Sequence, residues 1–201
     1  MKQALKVISL SLTLGGLALA QQAGPGPAAK VNEGKANITA GGTTITISEA
    51  HAKKLERIKE FGVTVFYPTF VPARFSLARV TLTKADFWAY HLRFCDRSHL
   101  CFTVEAADDG VGGSVGEFRD LKGNSALFGP FVVHVHKPWS EGNNTSRIFY
   151  DTEWLKESKA NANKKHVRGA GQVVVGLYGF WGYGITGKEA VAIVESLAPI
   201  E

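Results

Sequence analysis

Trp88-Ala-Tyr-His-Leu-Arg-Phe-Cys-Asp-Arg-Ser-His-Leu-Cys-Phe-Thr-Val-Glu-Ala106 is the stretch whose reading decides the fold. At period two, Trp88, Tyr90, Leu92 and Phe94 share one face, and Ala89, His91 and Arg93 the other. Phe102, Val104 and Ala106 alternate in the same way with Cys101, Thr103 and Glu105. Such alternation belongs to half-buried strands. Asp96 to Leu100 separates Cys95 from Cys101 by five residues, a length suited to a hairpin loop. Setting the two cysteines opposite each other fixes the rest. Phe94 then faces Phe102, Leu92 faces Val104 and Tyr90 faces Ala106, all on the apolar side. Arg93 faces Thr103 and His91 faces Glu105 on the polar side. One register satisfies the apolar pairs and the cysteine pair together, which argues strongly for it.

A C-x5-C pair is a poor zinc signature, because structural zinc takes four ligands. An export signal favours the alternative, a Cys95–Cys101 disulfide. Residues 1–20 carry that signal: Lys2 and Lys6 open it, residues 7–17 form an apolar run, and Ala18-Leu19-Ala20 is an A-x-A site with cleavage expected between Ala20 and Gln21. The apolar run is too short for a membrane span, and no second apolar stretch approaches about 18 residues. Loss of Lys2 and Lys6 lowers the net charge from +5 to +3. That is too mild to argue for a nucleic-acid partner, and export argues against one. Lys164-Lys165-His166 with Arg168 is the one dense basic cluster, and reads as a solvated loop.

Further outward, residues 21–42 are rich in Ala, Gly and Pro and read as a flexible linker, which leaves residues 43–201 for a single domain. Residues 43–47 suit a short strand. Ser48 is a good N-cap for a helix over residues 49–61, with Leu55, Ile58 and Phe61 along one stripe. Tyr67-Pro-Thr-Phe-Val-Pro72 must be extended. The apolar phase shifts between Leu77 and Val80, which places a bulge near Ala78. Residues 108–116 form a glycine-rich loop without the Lys-Ser/Thr of a phosphate-binding loop. Strands are expected over residues 131–136 and 147–151. A second apolar hairpin, residues 172–178 and 180–186, is expected to turn at Gly179. Thr186-Gly-Lys-Glu189 is a capping box opening the last helix, whose stripe is Ala190, Ile193, Val194 and Leu197 and which Pro199 ends. The sum is α+β: a single antiparallel, curved sheet of about five to seven strands, with an N-terminal and a C-terminal helix packed on one face.

Several pieces together resemble a family of exported bacterial domains of unknown function. They are Tyr67-Pro-Thr-Phe-Val-Pro72 followed by Phe75 and Leu77, Cys101-Phe-Thr-Val-Glu-Ala-Ala107 with Gly110-Val-Gly-Gly113, Tyr150-Asp-Thr-Glu-Trp-Leu155, and Gly182-Tyr-Gly-Ile-Thr-Gly-Lys-Glu-Ala-Val-Ala-Ile-Val-Glu-Ser-Leu197. The ending is also similar to domains that accompany anti-sigma factors and cell-envelope lipoproteins. The resemblance spans roughly residues 63–197 and implies a lipoprotein-carrier-like fold, a half-barrel with helices in its concavity, outside the cytoplasm. It implies no catalytic residues.

Site chemistry is sparse. His134-Val-His136 sets two imidazoles on one face of a strand, as in many metal sites, with His91, Glu105 or Asp151 as candidates for a third ligand. The bland alternative is a polar strand edge. His91 opposite Glu105 would make an acid–base pair or an ordinary cross-strand polar pair. No nucleophile elbow, paired-carboxylate spacing or cofactor fingerprint is present, so no cofactor is expected. Twelve Phe, five Tyr and four Trp exceed what a small sheet can bury, so some should line a groove or lie on the surface. The leading expectation is a non-catalytic, secreted or periplasmic binding domain for an apolar ligand or an envelope protein's segment. The alternatives are a small metal-dependent hydrolase using His134 and His136, and a structural envelope protein without ligand.

Overall fold

A computed structural model describes residues 34–60, 63–84, 88–107, 116–136, 148–156, 167–168, 172–173 and 176–201. The expected leader with its Ala20–Gln21 cleavage site, most of the expected linker, the basic residues 164–166 and the glycine-rich residues 108–115 lie outside them.

The chain is α+β, and it departs from a single sheet. Among the described residues there are four sheets, one of seven strands and three of two. The large sheet is built from β4 (Ser76–Lys84), β5 (Trp88–Cys95), β6 (Cys101–Ala107), β7 (Phe118–Ser125), β8 (Gly129–His136), β9 (Tyr150–Thr152) and β12 (Leu177–Gly182). Their spatial order is β4-β5-β6-β12-β9-β8-β7, every neighbour antiparallel. The three small sheets pair β1 (Lys35–Ala40) with β2 (Thr43–Ser48), β3 (Phe66–Pro68) with β13 (Leu197–Pro199), and β10 (Val167–Arg168) with β11 (Gln172–Val173). The two helices are α1 (Glu49–Lys59) and α2 (Gly187–Glu195).

The β5–β6 hairpin has the expected register throughout, from Tyr90 opposite Ala106 to Cys95 opposite Cys101. The two cysteines are joined as a disulfide, with Cα atoms 4.2 Å apart. The turn holds itself as well: Asp96 accepts backbone N–H bonds from Ser98 at 2.8 Å and Leu100 at 2.9 Å on one carboxylate oxygen. The bulge falls where the phase shift put it, between Leu77 and Arg79 of β4.

Three expectations need correction. Residues 35–40 are not linker but strand β1, joined to β2 through Gly41 and Gly42 at φ +52° and +74°. Both central residues at positive φ make the tight, primed turn that suits a hairpin. Gly179 is no turn either. It lies within β12 opposite Glu105, and residues 172–173 pair instead with 167–168. The last helix stops at Glu195, and Leu197 and Pro199 belong to β13 rather than to the helix and its end.

Helix starts follow the sequence signals. Ser48 accepts the His51 N–H at the start of α1. Thr186 and Glu189 form the reciprocal capping box of α2. Leu55 and Ile58 of α1, and Ala190, Ile193 and Val194 of α2, are buried in the same core as Leu92, Phe94, Phe102, Val104 and Phe180. α1 packs against β4 and the β1–β2 hairpin, and α2 against β7 and β8. Phe94 and Phe102 stack with ring centroids 4.8 Å apart. Tyr90 is fully buried, and its hydroxyl accepts the Phe66 N–H at 3.0 Å, tying β3 to the large sheet. A buried phenol without such a partner would cost stability, so this bond fixes where β3 lies.

Candidate functional site

The strand registers sort the polar candidates onto one side of the large sheet, the side away from Leu92 and Val104. His91 Nε2 lies 3.2 Å from Glu105, whose other contact is a 3.0 Å bond donated by Trp181 Nε1. His91 Nδ1 meets the Thr81 hydroxyl at 3.4 Å. The pair sits as the register predicts, within a local network that uses both of its partners.

His134 and His136 share this face on β8, as expected. His134 Nδ1 pairs with Asp120 of β7 at 3.0 Å, while its buried Nε2 has no hydrogen-bond partner among the described residues. His136 Nε2 lies 3.1 Å from Asp151 of β9, near in charge but too poorly aligned for a hydrogen bond. Of the proposed third ligands, Asp151 therefore neighbours His136, and His91 and Glu105 face each other on β5 and β6. Among the described residues no group of three His, Cys, Asp or Glu is placed to hold a metal ion. Each imidazole has its own carboxylate, and the pairs are spread over the sheet rather than converging.

A different place concentrates open space and apolar surface. A cleft of about 640 Å³ lies where β2, the start of α1, β3 and the beginning of β4 meet. Ile45 and Ile47 line it from β2, Tyr67 and Pro68 from β3, and Val71, Phe75 and Leu77 from the approach to β4, with Phe94 also bordering it. Lys35 and His51 also line it, and no carboxylate is among its described lining residues. A smaller cavity of about 390 Å³ lies between α1 and β4, lined by Lys54, Arg57, Ile58, Val80 and Leu82.

The cleft walls are held by specific contacts. The Tyr67 ring meets Phe94 edge to face at 5.5 Å, and Phe75 meets Phe102 in the same way at 5.2 Å. Burial pushes the Tyr67 phenol well above its ordinary pKa, so the hydroxyl stays neutral and able to donate. The loop before β4 is clamped by Arg74, which makes two bonds to the Glu189 carboxylate at 2.7 and 2.6 Å and one to Gly184 O at 3.0 Å. This fork holds the Glu189 carboxyl down at about 2, aided by the Thr186 N–H and hydroxyl. Arg74 also lies 4.9 Å from the centre of the Phe75 ring, which sets that wall of the cleft.

The hydroxyls of the lining have structural tasks. Ser48 caps α1, and Thr69 donates to Ser196 O at 3.0 Å. The surface thus offers apolar contact, a neutral phenol, the Lys35 ammonium and the His51 imidazole. Tyr67, Phe75 and Leu77 stood out in the sequence as extended or strand residues, but not as parts of a site. Ile45 and Ile47 were missed because their partner strand was read as linker. Gly41-Gly42 between two alternating stretches is the hairpin signal that would have found them.

Among the described residues no helix is long and apolar enough to cross a membrane. No family model, no curated protein and no solved structure matches the chain.

Proposed function

We propose that this protein is an exported, non-catalytic binding domain of the bacterial cell envelope, which holds an apolar ligand or a partner's apolar segment in the cleft between β2, β3 and β4. One observation carries the reading: a cleft of about 640 Å³ walled by Ile45, Ile47, Val71, Phe75 and Leu77, where the other aromatic side chains among the described residues are mostly core. That size and lining suit an apolar ligand with one polar end. The disulfide agrees with an oxidising compartment, and the leader and the envelope-domain resemblance point the same way. The reading takes both helices to lie on the apolar face of the large sheet, leaving the imidazole face outside the binding event.

The test is binding of the apolar dye 1-anilinonaphthalene-8-sulfonate to the folded protein. Val71→Trp, which fills the cleft from a half-buried position, should weaken binding about tenfold. His136→Ala should leave it unchanged. Equal dye binding by the wild type and Val71→Trp would remove the cleft from the account. Loss of binding in His136→Ala would move the site to the other face.

A further inference from the structure

We infer that the occupant of the cleft is an extended peptide segment that docks along a free strand edge. This deepens the reading of the cleft as a binding site and rests on it. Successive residues of a strand point to opposite faces, so a cavity lying over one face borders every second residue. Here Ile45, Thr46, Ile47 and Ser48 all border the cleft, which therefore runs along the rim of β2, where the main chain is presented.

That rim is unpaired among the described residues. β2 has β1 as its one strand neighbour. The far side of β1 is taken by the C-terminal residues, through the Ala40–Ile200 bridge and the Glu201 N–H donated to Thr39 O at 3.0 Å. The facing wall differs. Leu77 of β4, the terminal strand of the seven-stranded sheet, and its cross-strand partner Phe94 of β5 both border the cleft, so there the cleft lies over the apolar face of the sheet beside its edge.

An unpaired edge presents N–H and C=O groups that an incoming strand can satisfy, whereas an acyl chain cannot. Ile45 and Ile47 on one side, and Val71 and Leu77 on the other, supply apolar contact for alternate side chains of that strand. Lys35, with no carboxylate among the described lining residues, favours an acidic residue at one end of the segment.

The experiment compares three synthetic peptides of the same alternating Val-Thr sequence ending in Asp, one with ordinary amides and two N-methylated at alternate residues, one in each phase. Fluorescence anisotropy against the full chain reads their affinities, with sodium decanoate as a competing acyl ligand. The unmodified peptide should bind at least about tenfold more tightly than the methylated ones, because lost main-chain bonds leave the rim unsatisfied. Lys35→Glu should weaken the Asp-ended peptide and favour one ending in Lys. Equal binding of the methylated peptides overturns edge docking. Decanoate binding that Val71→Trp abolishes, with no peptide binding, overturns the peptide while leaving the cleft as a site. Absence of dye, decanoate and peptide binding overturns both.

Discussion

Replacing Leu92 by Ala tests whether packing or the cross-link organises the central hairpin. Leu92 is fully buried on β5, with Val80 on one side and Val104 on the other. The substitution removes three carbon groups, about 2.4 kcal/mol of transfer free energy at 0.8 per group. The stacked rings of Phe94 and Phe102 nearby limit how far the site can collapse, so a cavity contribution adds to this. The total should reach about 3–4 kcal/mol. The Cys95–Cys101 bridge spans a sequence separation of 6, and closing so short a loop is worth about 2 kcal/mol through the unfolded state. The loop also keeps its Asp96 bonds to Ser98 and Leu100 without the bridge. Cys95→Ser with Cys101→Ser should therefore leave a folded domain that is less stable by about 2 kcal/mol. Urea unfolding followed by far-UV circular dichroism gives both values from the midpoint shift, provided the slope is unchanged. An unfolded double-Ser variant beside a nearly neutral Leu92→Ala would refute the reasoning.

Three further outcomes follow from local geometry and from the leader. Glu189 has its folded-state pKa depressed from 4.5 to about 2, so the Arg74 clamp stabilises the protein fully above pH 4.5 and is lost as pH falls from 4.5 towards 2. Because Arg74 is 43% exposed in its side chain, the contribution is about 1 kcal/mol, and Arg74→Met should flatten that acid limb in unfolding measured against pH. Gly182→Ala should cost about 2–3 kcal/mol, since its Cβ would stand 2.5 Å from the Phe102 Cα in a paired strand. Gly42→Ala, with open space but φ +74°, should cost about 1 kcal/mol, and thermal unfolding of the two variants checks the order. N-terminal sequencing of exported protein should begin at Gln21, and retention of Met1 on exported material would contradict the leader.

The parts of the fold legible in the sequence were those where two independent signals agreed. Alternation and a cysteine pair set the β5–β6 register, and the Thr186–Glu189 spacing set the start of α2. Where one residue type has two uses, the reading failed. Gly179 looks like a turn residue but sits in β12 because side chains crowd there: Glu105 and Trp154 atoms lie 3.1–3.2 Å from a Cβ at Gly179. Composition hid β1, since the Ala/Gly/Pro-rich run leads into it without a break. β7 was missed because most of its residues are exposed, so burial imposes no alternation on it. Of the candidate site, the pairing of His91 with Glu105 was legible from register alone. The cleft was not, because its walls come from four segments that only tertiary packing brings together.

The central claim, that the cleft is the binding site, is tested most directly by titrating methyl-labelled protein with 1-anilinonaphthalene-8-sulfonate and following methyl resonances by NMR. The account predicts saturable shifts at Ile45, Ile47, Val71 and Leu77, with Val132 on the imidazole face unmoved. Shifts concentrated at Val132, opposite Lys122 on that face, would contradict it.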